Sequence, residues 1–279
     1  MVAAPAALAR DKGWQAGLQL GFRARPHRTV LAERRRIGPL AVQRPFYPEG
    51  DVCHVYLLHP PGGVVGGDSL DIAVTAGAGA HALVTTPGAT KFYRSAGEDA
   101  RQVQHLVVED GAVLEWLPQE NIYFPGAQVR LDTRIDLQGS ARFAYWEIQC
   151  LGRPVLEEGF DRGFIDSRLS VYREGEPLVL ERLRVSADNR ARLSLMAGLP
   201  VGGSLLISNA GEAEIEACRD LLLGDGADYT GATLLGDILV VRYLGTSTER
   251  ARRLFADVWR AVRPGALGRS PADPRIWAT

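Results

Sequence analysis

The stretch VQHLVVEDGAVLEWLPQ, residues 103–119, alternates apolar and polar side chains on both sides of a Glu-Asp-Gly turn. Such alternation, interrupted by a turn that contains glycine, is typical of two short β-strands joined by a tight connection. Three other stretches have the same form: LDIAVTAGAGAHALVTT (70–86), TRIDLQGSARFAYWE (133–147) and LSVYREGEPLVLERLRV (169–185).

The spacing of these four units indicates stacked β-structure. Their turn glycines are Gly79, Gly111, Gly139 and Gly175, which lie 32, 28 and 36 residues apart. A loose period of this kind fits either a solenoid-like β-helix or a long meandering sandwich. The sequence therefore predicts a mostly β protein with a β-helix-like, stacked-strand architecture.

The last third of the chain predicts two α-helices. The first, over 212–223, has Gly224 as its stop. The second, over 247–263, has Thr246 as its N-cap and ends at Pro264, and Glu249 completes a capping box. Between the two helices, ATLLGDILVVRYLG (232–245) has the composition of a buried strand.

Charge and cysteine content exclude several classes of protein. Among the 279 residues, 32 basic side chains oppose 33 acidic ones, which gives no general attraction to nucleic acid or to an anionic membrane. No apolar run approaches the roughly 20 residues of a membrane-spanning helix. Because Cys53, Cys150 and Cys218 are far apart and form no CxxC motif, we expect reduced, mostly buried thiols and a cytoplasmic protein.

The most unusual motif is HPPGGVVGGDSL, residues 59–70. A phosphate-binding loop needs its glycines to enter a helix, whereas a strand pattern follows here and no GK[ST] is present. Glycines and prolines can instead hold a rigid loop that places Asp68 at a defined position. The alternative is that Asp68 caps its own turn, which is the more frequent role of such a residue.

Two glutamates follow strands in adjacent units. Glu120 lies in LPQENIYFPGA (117–127), and Glu147 lies in YWEIQCLGR (145–153). If the units stack, the two carboxylates lie about one strand spacing (~4.8 Å) apart and hold a cation or a proton between them. Their positions in the two units differ by one residue, which makes them face opposite sides unless Pro118 introduces a bulge.

Hydrolase signatures are missing from the sequence. There is no GxSxG motif, and the five histidines form neither HxH nor HExxH. A metal-dependent hydrolase could use paired acids and a histidine, but the sequence offers too few ligands for a closed first shell. Each histidine is better explained as structural, with the exception of His59, which adjoins the glycine motif.

Five motifs in register resemble the UreD (UreH) family of urease accessory proteins. They are HPPGGVVGGDSL, TTPGATKFYR (85–94), LPQENIYF, EIQCLGR and the closing RIWAT, and the resemblance runs from about Val30 to the C-terminus. It implies one β-rich domain over 21–279, with a variable or mobile segment at 1–20. It also implies a non-enzymatic assembly factor that acts with UreF and the GTPase UreG to deliver nickel to apo-urease.

The resemblance further implies a water-filled path for Ni²⁺ and no permanently bound cofactor. Asp68, Glu120 and Glu147 are the acids that we expect along this path. His59, Gly66, Gly67, Lys91 and Tyr93 also match motif positions, and we expect them to have lining or structural roles. In the alternative, the protein is a purely structural interaction module of the urease activation complex and has no direct part in metal transfer.

Overall fold

The structure, a computed structural model, describes residues 13–222 and 228–278, and strands dominate these residues. The strands are β1 (Gln15–Arg25), β2 (Arg28–Ile37), β3 (Ala41–Val42), β4 (Cys53–Leu58), β5 (Ser69–Ala76), β6 (His81–Thr85), β7 (Thr90–Phe92), β8 (Ala100–Val108), β9 (Val113–Trp116), β10 (Asn121–Tyr123), β11 (Gln128–Leu137), β12 (Arg142–Leu151), β13 (Phe164–Arg173), β14 (Glu176–Ser186), β15 (Val201–Ser208), β16 (Tyr229–Leu235) and β17 (Ile238–Gly245). The helices are α1 (Glu212–Leu222) and α2 (Thr248–Leu267), and short 3₁₀ turns form at Pro154–Leu156 and Arg275–Ala278. The predicted fold class is confirmed.

The strands form two facing sheets. Sheet I has seven strands in the order β14-β13-β11-β8-β5-β1-β2. Sheet II has ten strands, eight of them in the order β16-β17-β15-β12-β9-β6-β4-β3, and β7 and β10 pair at the side of β12. One apolar core lies between the sheets, and a second lies between sheet II and the helices.

Three of the four predicted units form successive coils of a solenoid. In each coil the first strand joins sheet I and the second joins sheet II, so that β5, β8 and β11 stack in parallel, as do β6, β9 and β12. Gly79, Gly111 and Gly139 have φ values of 67°, 68° and 50° at the connections. Glycine adopts this left-handed backbone without the steric cost of a Cβ.

The fourth unit ends the stack. Strands β13 and β14 pair antiparallel within sheet I instead of passing to sheet II. Glu174 and Gly175 between them have φ values of 50° and 85°. Two consecutive residues with positive φ are the mark of a tight two-residue hairpin turn, which returns the chain to the same sheet.

Helix α2 differs at both ends from the prediction. Its N-cap is Ser247 and not Thr246, because the Ser247 Oγ accepts the Arg250 N–H at 3.2 Å. The helix continues past Pro264 to Leu267 and ends at Gly268, with φ at 72°. Proline removes one backbone hydrogen bond in the last turns, and the burial of Leu267 offsets this loss.

The segment 232–245 is a hairpin and not one buried strand. It contains most of β16, which is an edge strand, and all of β17, which is buried in sheet II. The predicted end of the first helix, at 223 and Gly224, lies outside the described residues.

The N-terminal part of the chain enters sheet I earlier than the predicted domain start at 21. Strand β1 begins at Gln15 and pairs with both β2 and β5. Its alternating Leu18, Leu20 and Phe22 are buried, which gives this strand an apolar face toward the core. Residues 1–12 lie outside the described part of the chain. Neither described helix combines the length and apolarity that crossing a membrane requires.

Candidate functional site

The solenoid interior contains a row of polar side chains between the two sheets. Strands β8, β11 and β13 of sheet I direct inward the side chains of Gln102, Gln104, Thr133 and Ser167, all of which are buried. Sheet II contributes Asn121, Tyr123, Tyr145, Glu147 and Gln149. These residues occupy positions at which the strand alternation would otherwise place apolar side chains.

Two cavities lie along this polar interior. The open cavity has a volume of about 610 Å³ and lies between β13–β14 of sheet I and β15–β17 of sheet II. The inner cavity, of about 40 Å³, lies deeper among Gln102, Gln104 and Thr133, and it is large enough for at least one water molecule. Glu147 is the residue that the linings of these two cavities share.

Neighbouring polar groups fix the Glu147 carboxylate in place. Its Oε2 accepts the Tyr145 hydroxyl at 3.2 Å and the Gln149 side-chain amide at 3.0 Å. Desolvation raises the pKa of Glu147 to about 7, and the hydrogen bond from Tyr145 opposes this rise. Glu147 is therefore partly protonated at neutral pH.

Glu120 lies on the other side of sheet II. In the parallel pairing of β10 with β12, Asn121 is opposite Gln149. Glu120 is therefore one residue out of register with Glu147. Burial raises the pKa of the Cys150 thiol to about 12, and the nearby Glu120 carboxylate adds to the rise. Since Cys150 belongs to the core beneath the helices, the side-by-side pair of carboxylates that we hypothesised is not formed.

Asp68 caps its own turn, which is the more frequent role that the sequence left open. It is 3% exposed, and its two oxygens accept the Trp14 N–H at 2.7 Å and the Val65 N–H at 2.9 Å. Neither of the cavities lined by Glu147 includes Asp68 or Glu120. Of the three predicted acids, only Glu147 reaches them.

The other motif residues shape the loops around the glycine motif. A Cβ at Gly66 would lie 2.3 Å from the Ser95 Oγ, and Gly67 has a φ of 92°, so the loop fits only with glycine. Tyr93 packs against Phe124 with the ring centroids 4.8 Å apart. Lys91 is exposed, and its carbonyl accepts the Val64 N–H at 2.7 Å.

His59 is half-buried beside the glycine motif. Among the described residues, its buried Nε2 has no hydrogen-bond partner. Burial lowers the pKa of His59, and the Asp68 charge opposes this change.

Sequence reasoning missed Glu181 and Arg242, which line the open cavity together with Glu147. It also missed the buried glutamines of β8. A usable signal was present for the glutamines, because Gln102 and Gln104 interrupt the apolar positions of an alternating strand. Within residues 13–222 and 228–278, no three His, Cys, Asp or Glu side chains are grouped so that they could hold a metal ion.

Comparison with known proteins assigns the chain to a family. The family model for UreD urease accessory proteins matches residues 15–278. The chain belongs to the UreD family. The resemblance inferred from the five motifs is thus confirmed, and the match begins at residue 15 rather than near Val30.

Curated UreD proteins cover nearly all of the chain. The urease accessory protein UreD of Alcanivorax borkumensis is 50% identical over 281 residues, with 98% of this chain and 95% of the relative covered. The protein of the same name from Pseudomonas entomophila is 48% identical, with 96% of each chain covered. The Klebsiella aerogenes UreD is 47% identical, with 96% of this chain and 98% of the relative covered.

Proposed function

We propose that this UreD-family chain acts in urease maturation as a non-catalytic scaffold that passes nickel through its polar interior to apo-urease. The observation that carries this proposal is the position of Glu147, which lines both the open and the inner cavity. A cation that entered the open cavity would meet the Glu147 carboxylate before it reached the inner cavity.

The chemistry of the interior favours transit over storage. Ni²⁺ binds imidazole and thiolate ligands tightly, whereas carboxylate, amide and hydroxyl oxygens hold it more weakly. Gln104, Thr133 and Glu147 offer only oxygen ligands to the inner cavity, because the glutamine amide nitrogen donates hydrogen bonds and does not bind metals. A conduit must admit an ion and still release it, and such ligands meet both requirements.

The proposal includes UreF, the GTPase UreG and apo-urease as partners. Family membership supports a place among urease accessory proteins. The glycine motif of this chain enters strand β5 and not a helix, so it lacks the geometry of a phosphate-binding loop. Nucleotide binding is accordingly assigned to the GTPase partner.

The test is the nickel content of urease after co-expression of urease, UreF and UreG with variants of this chain. Glu147→Ala is expected to lower the nickel content severalfold while the complex still forms in a pull-down. Asp68→Ala and Glu120→Ala are compared in parallel, because their place on the path remains a prediction. Their expected effects are smaller, since neither residue lines the two cavities.

Pull-down and nickel content together separate the proposal from its alternative. Intact complexes with normal nickel loading in Glu147→Ala would refute the conduit. That result would leave the purely structural interaction module as the function.

A further inference from the structure

An ion pair spans the gap between the two sheets in the open cavity. Arg242 on β17 of sheet II donates from Nη1 to the Glu181 Oε2 on β14 of sheet I at 2.8 Å, and its Nη2 contacts the second oxygen. The same Nη1 also donates to the Ser204 Oγ at 2.6 Å. The guanidinium is therefore held by both walls of the cavity.

The pair is partly exposed to solvent and shares the open cavity with Glu147. The Arg242 and Glu181 side chains are 50% and 20% exposed, and both line the open cavity with Glu147. The charges of both residues also reach the inner carboxylate, because Glu181 raises the pKa of Glu147 and Arg242 lowers it. An ion that moves through the open cavity toward Glu147 passes within reach of the guanidinium.

We propose that Arg242 controls access to Glu147 by holding Glu181 and by placing a fixed positive charge in the open cavity. This inference rests on the proposed function. A divalent cation displaces the guanidinium from Glu181, and the freed carboxylate then faces the cavity together with Glu147. Once the cation has moved on, Arg242 returns to Glu181.

The properties of arginine suit this role. A guanidinium stays charged at every physiological pH, so its repulsion of cations does not depend on protonation. Its forked donors match a carboxylate in a bidentate pair, which fixes the closed arrangement. Because the Arg242 side chain is half-exposed, it can leave Glu181 without becoming an unpaired buried charge, and the Ser204 hydroxyl remains as its acceptor. The incoming cation replaces the guanidinium as the partner of Glu181.

The competing explanation is that the Arg242–Glu181 pair only holds the two sheets together. A second ion pair provides a matched control for this explanation. Arg173 on β13 and Asp237, in the turn between β16 and β17, form a second ion pair across the sheets at 3.7 Å. Neither residue lines the open cavity. Asp237→Asn therefore removes a tie between the sheets without changing the charge inside the cavity.

The experiment is equilibrium dialysis of NiCl₂ against the purified full chain and its variants, with the thermal midpoint of each variant as a folding check. Arg242→Gln is expected to bind Ni²⁺ about tenfold more tightly than the original chain, because one repelling charge is gone and Glu181 is free. Arg242→Lys keeps the charge and is expected to bind less tightly than Arg242→Gln. Asp237→Asn is expected to match the original chain, and Glu147→Gln to bind more weakly.

The outcomes separate failure of the proposed role of Arg242 from failure of the conduit. If Glu147→Gln weakens binding but Arg242→Gln does not strengthen it, the role of Arg242 is refuted and the conduit stands. Equal tightening in Arg242→Gln and Asp237→Asn would show that loosened sheets are the cause, and it would also refute the role of Arg242. If the original chain and Glu147→Gln bind Ni²⁺ equally or not at all, both the conduit and the proposed role of Arg242 are refuted.

Discussion

Glu147 places an ionisable carboxyl group between the two sheets, so the free energy of unfolding depends on its protonation state. Its pKa is raised from 4.5 to about 7, so the folded protein favours the neutral form. As the pH rises, Glu147 ionises in the unfolded chain before it ionises in the folded protein. The free energy of unfolding therefore falls progressively between pH about 4.5 and 7. Glu147→Gln is expected to raise the thermal midpoint at pH 8 and to leave it nearly unchanged at pH 4.

Asp188→Asn is the control for this prediction, because Asp188 is an exposed acid in the loop between β14 and β15. Its removal is expected to shift the midpoint equally little at both pH values. A pH-independent shift in Glu147→Gln would contradict the raised pKa. Differential scanning fluorimetry in metal-free buffer measures all three proteins.

The glycine motif gives a second prediction at the scale of single residues. At Gly66 a Cβ would lie 2.6 Å from the Glu98 backbone oxygen as well as 2.3 Å from the Ser95 Oγ. Gly66→Ala is expected to destabilise the protein by about 1–3 kcal/mol in urea unfolding, because a loop backbone must move. Gly88→Ala is the control, since a Cβ there meets nothing within 4 Å, and equal losses in both variants would contradict the packing argument.

At the scale of elements, a buried charge network attaches helix α2 to sheet II. Arg263 is fully buried and donates from Nη2 to Glu115 at 2.8 Å and from Nη1 to Glu49 at 2.6 Å. Trp259, one turn earlier, donates from its indole N–H to Glu115 at 2.6 Å. Burial acts to raise the pKa of Glu115, but hydrogen bonds and charge interactions with His81 and Arg263 lower it to about 2.

Arg263→Met tests how far this network holds the helix. The substitution keeps an apolar stem but leaves two carboxylates without their shared cation, and a loss of about 3–5 kcal/mol is expected on unfolding. Arg253→Met on the same helix removes an exposed pair with Glu249 and is expected to cost less than about 1 kcal/mol. Similar losses in the two variants would show that burial of the network contributes little.

At the scale of the whole molecule, the solenoid ends unevenly. Sheet I stops at β14 while sheet II continues through β15 and β17 to β16, so two edge strands flank the open cavity. Leu180 on β14 and Tyr229 on β16 are 64% and 70% exposed. Unpaired edges with exposed apolar side chains favour self-association, which agrees with a chain that works inside a larger assembly.

The lone chain is therefore expected to self-associate at high protein concentration. Leu180→Lys combined with Tyr229→Lys is expected to lower its weight-average mass in sedimentation, because charged residues protect sheet edges. Val155→Lys is the control, since Val155 is 96% exposed but lies on a 3₁₀ turn. Monodisperse behaviour of the original chain would contradict the prediction.

The sequence by itself determined the repeating local structure and the family. Strand alternation on both sides of Gly79, Gly111 and Gly139 is a local pattern, and it predicts the coils because backbone geometry follows from neighbouring residues. The five motifs sufficed for the family because they occur in order. The sequence did not predict the end of α2 correctly, because the burial that stabilises the helix beyond Pro264 is a tertiary effect.

Only the tertiary structure decided which polar residues share the interior. Alternation shows that adjacent residues face opposite sides, but strand register and irregular loops decide which side is inside, and this separated Glu147 from Glu120. The pairing of Glu181 with Arg242 joins residues 61 positions apart from two different sheets. No local pattern encodes such a contact, because it exists only when both sheets are complete and face each other.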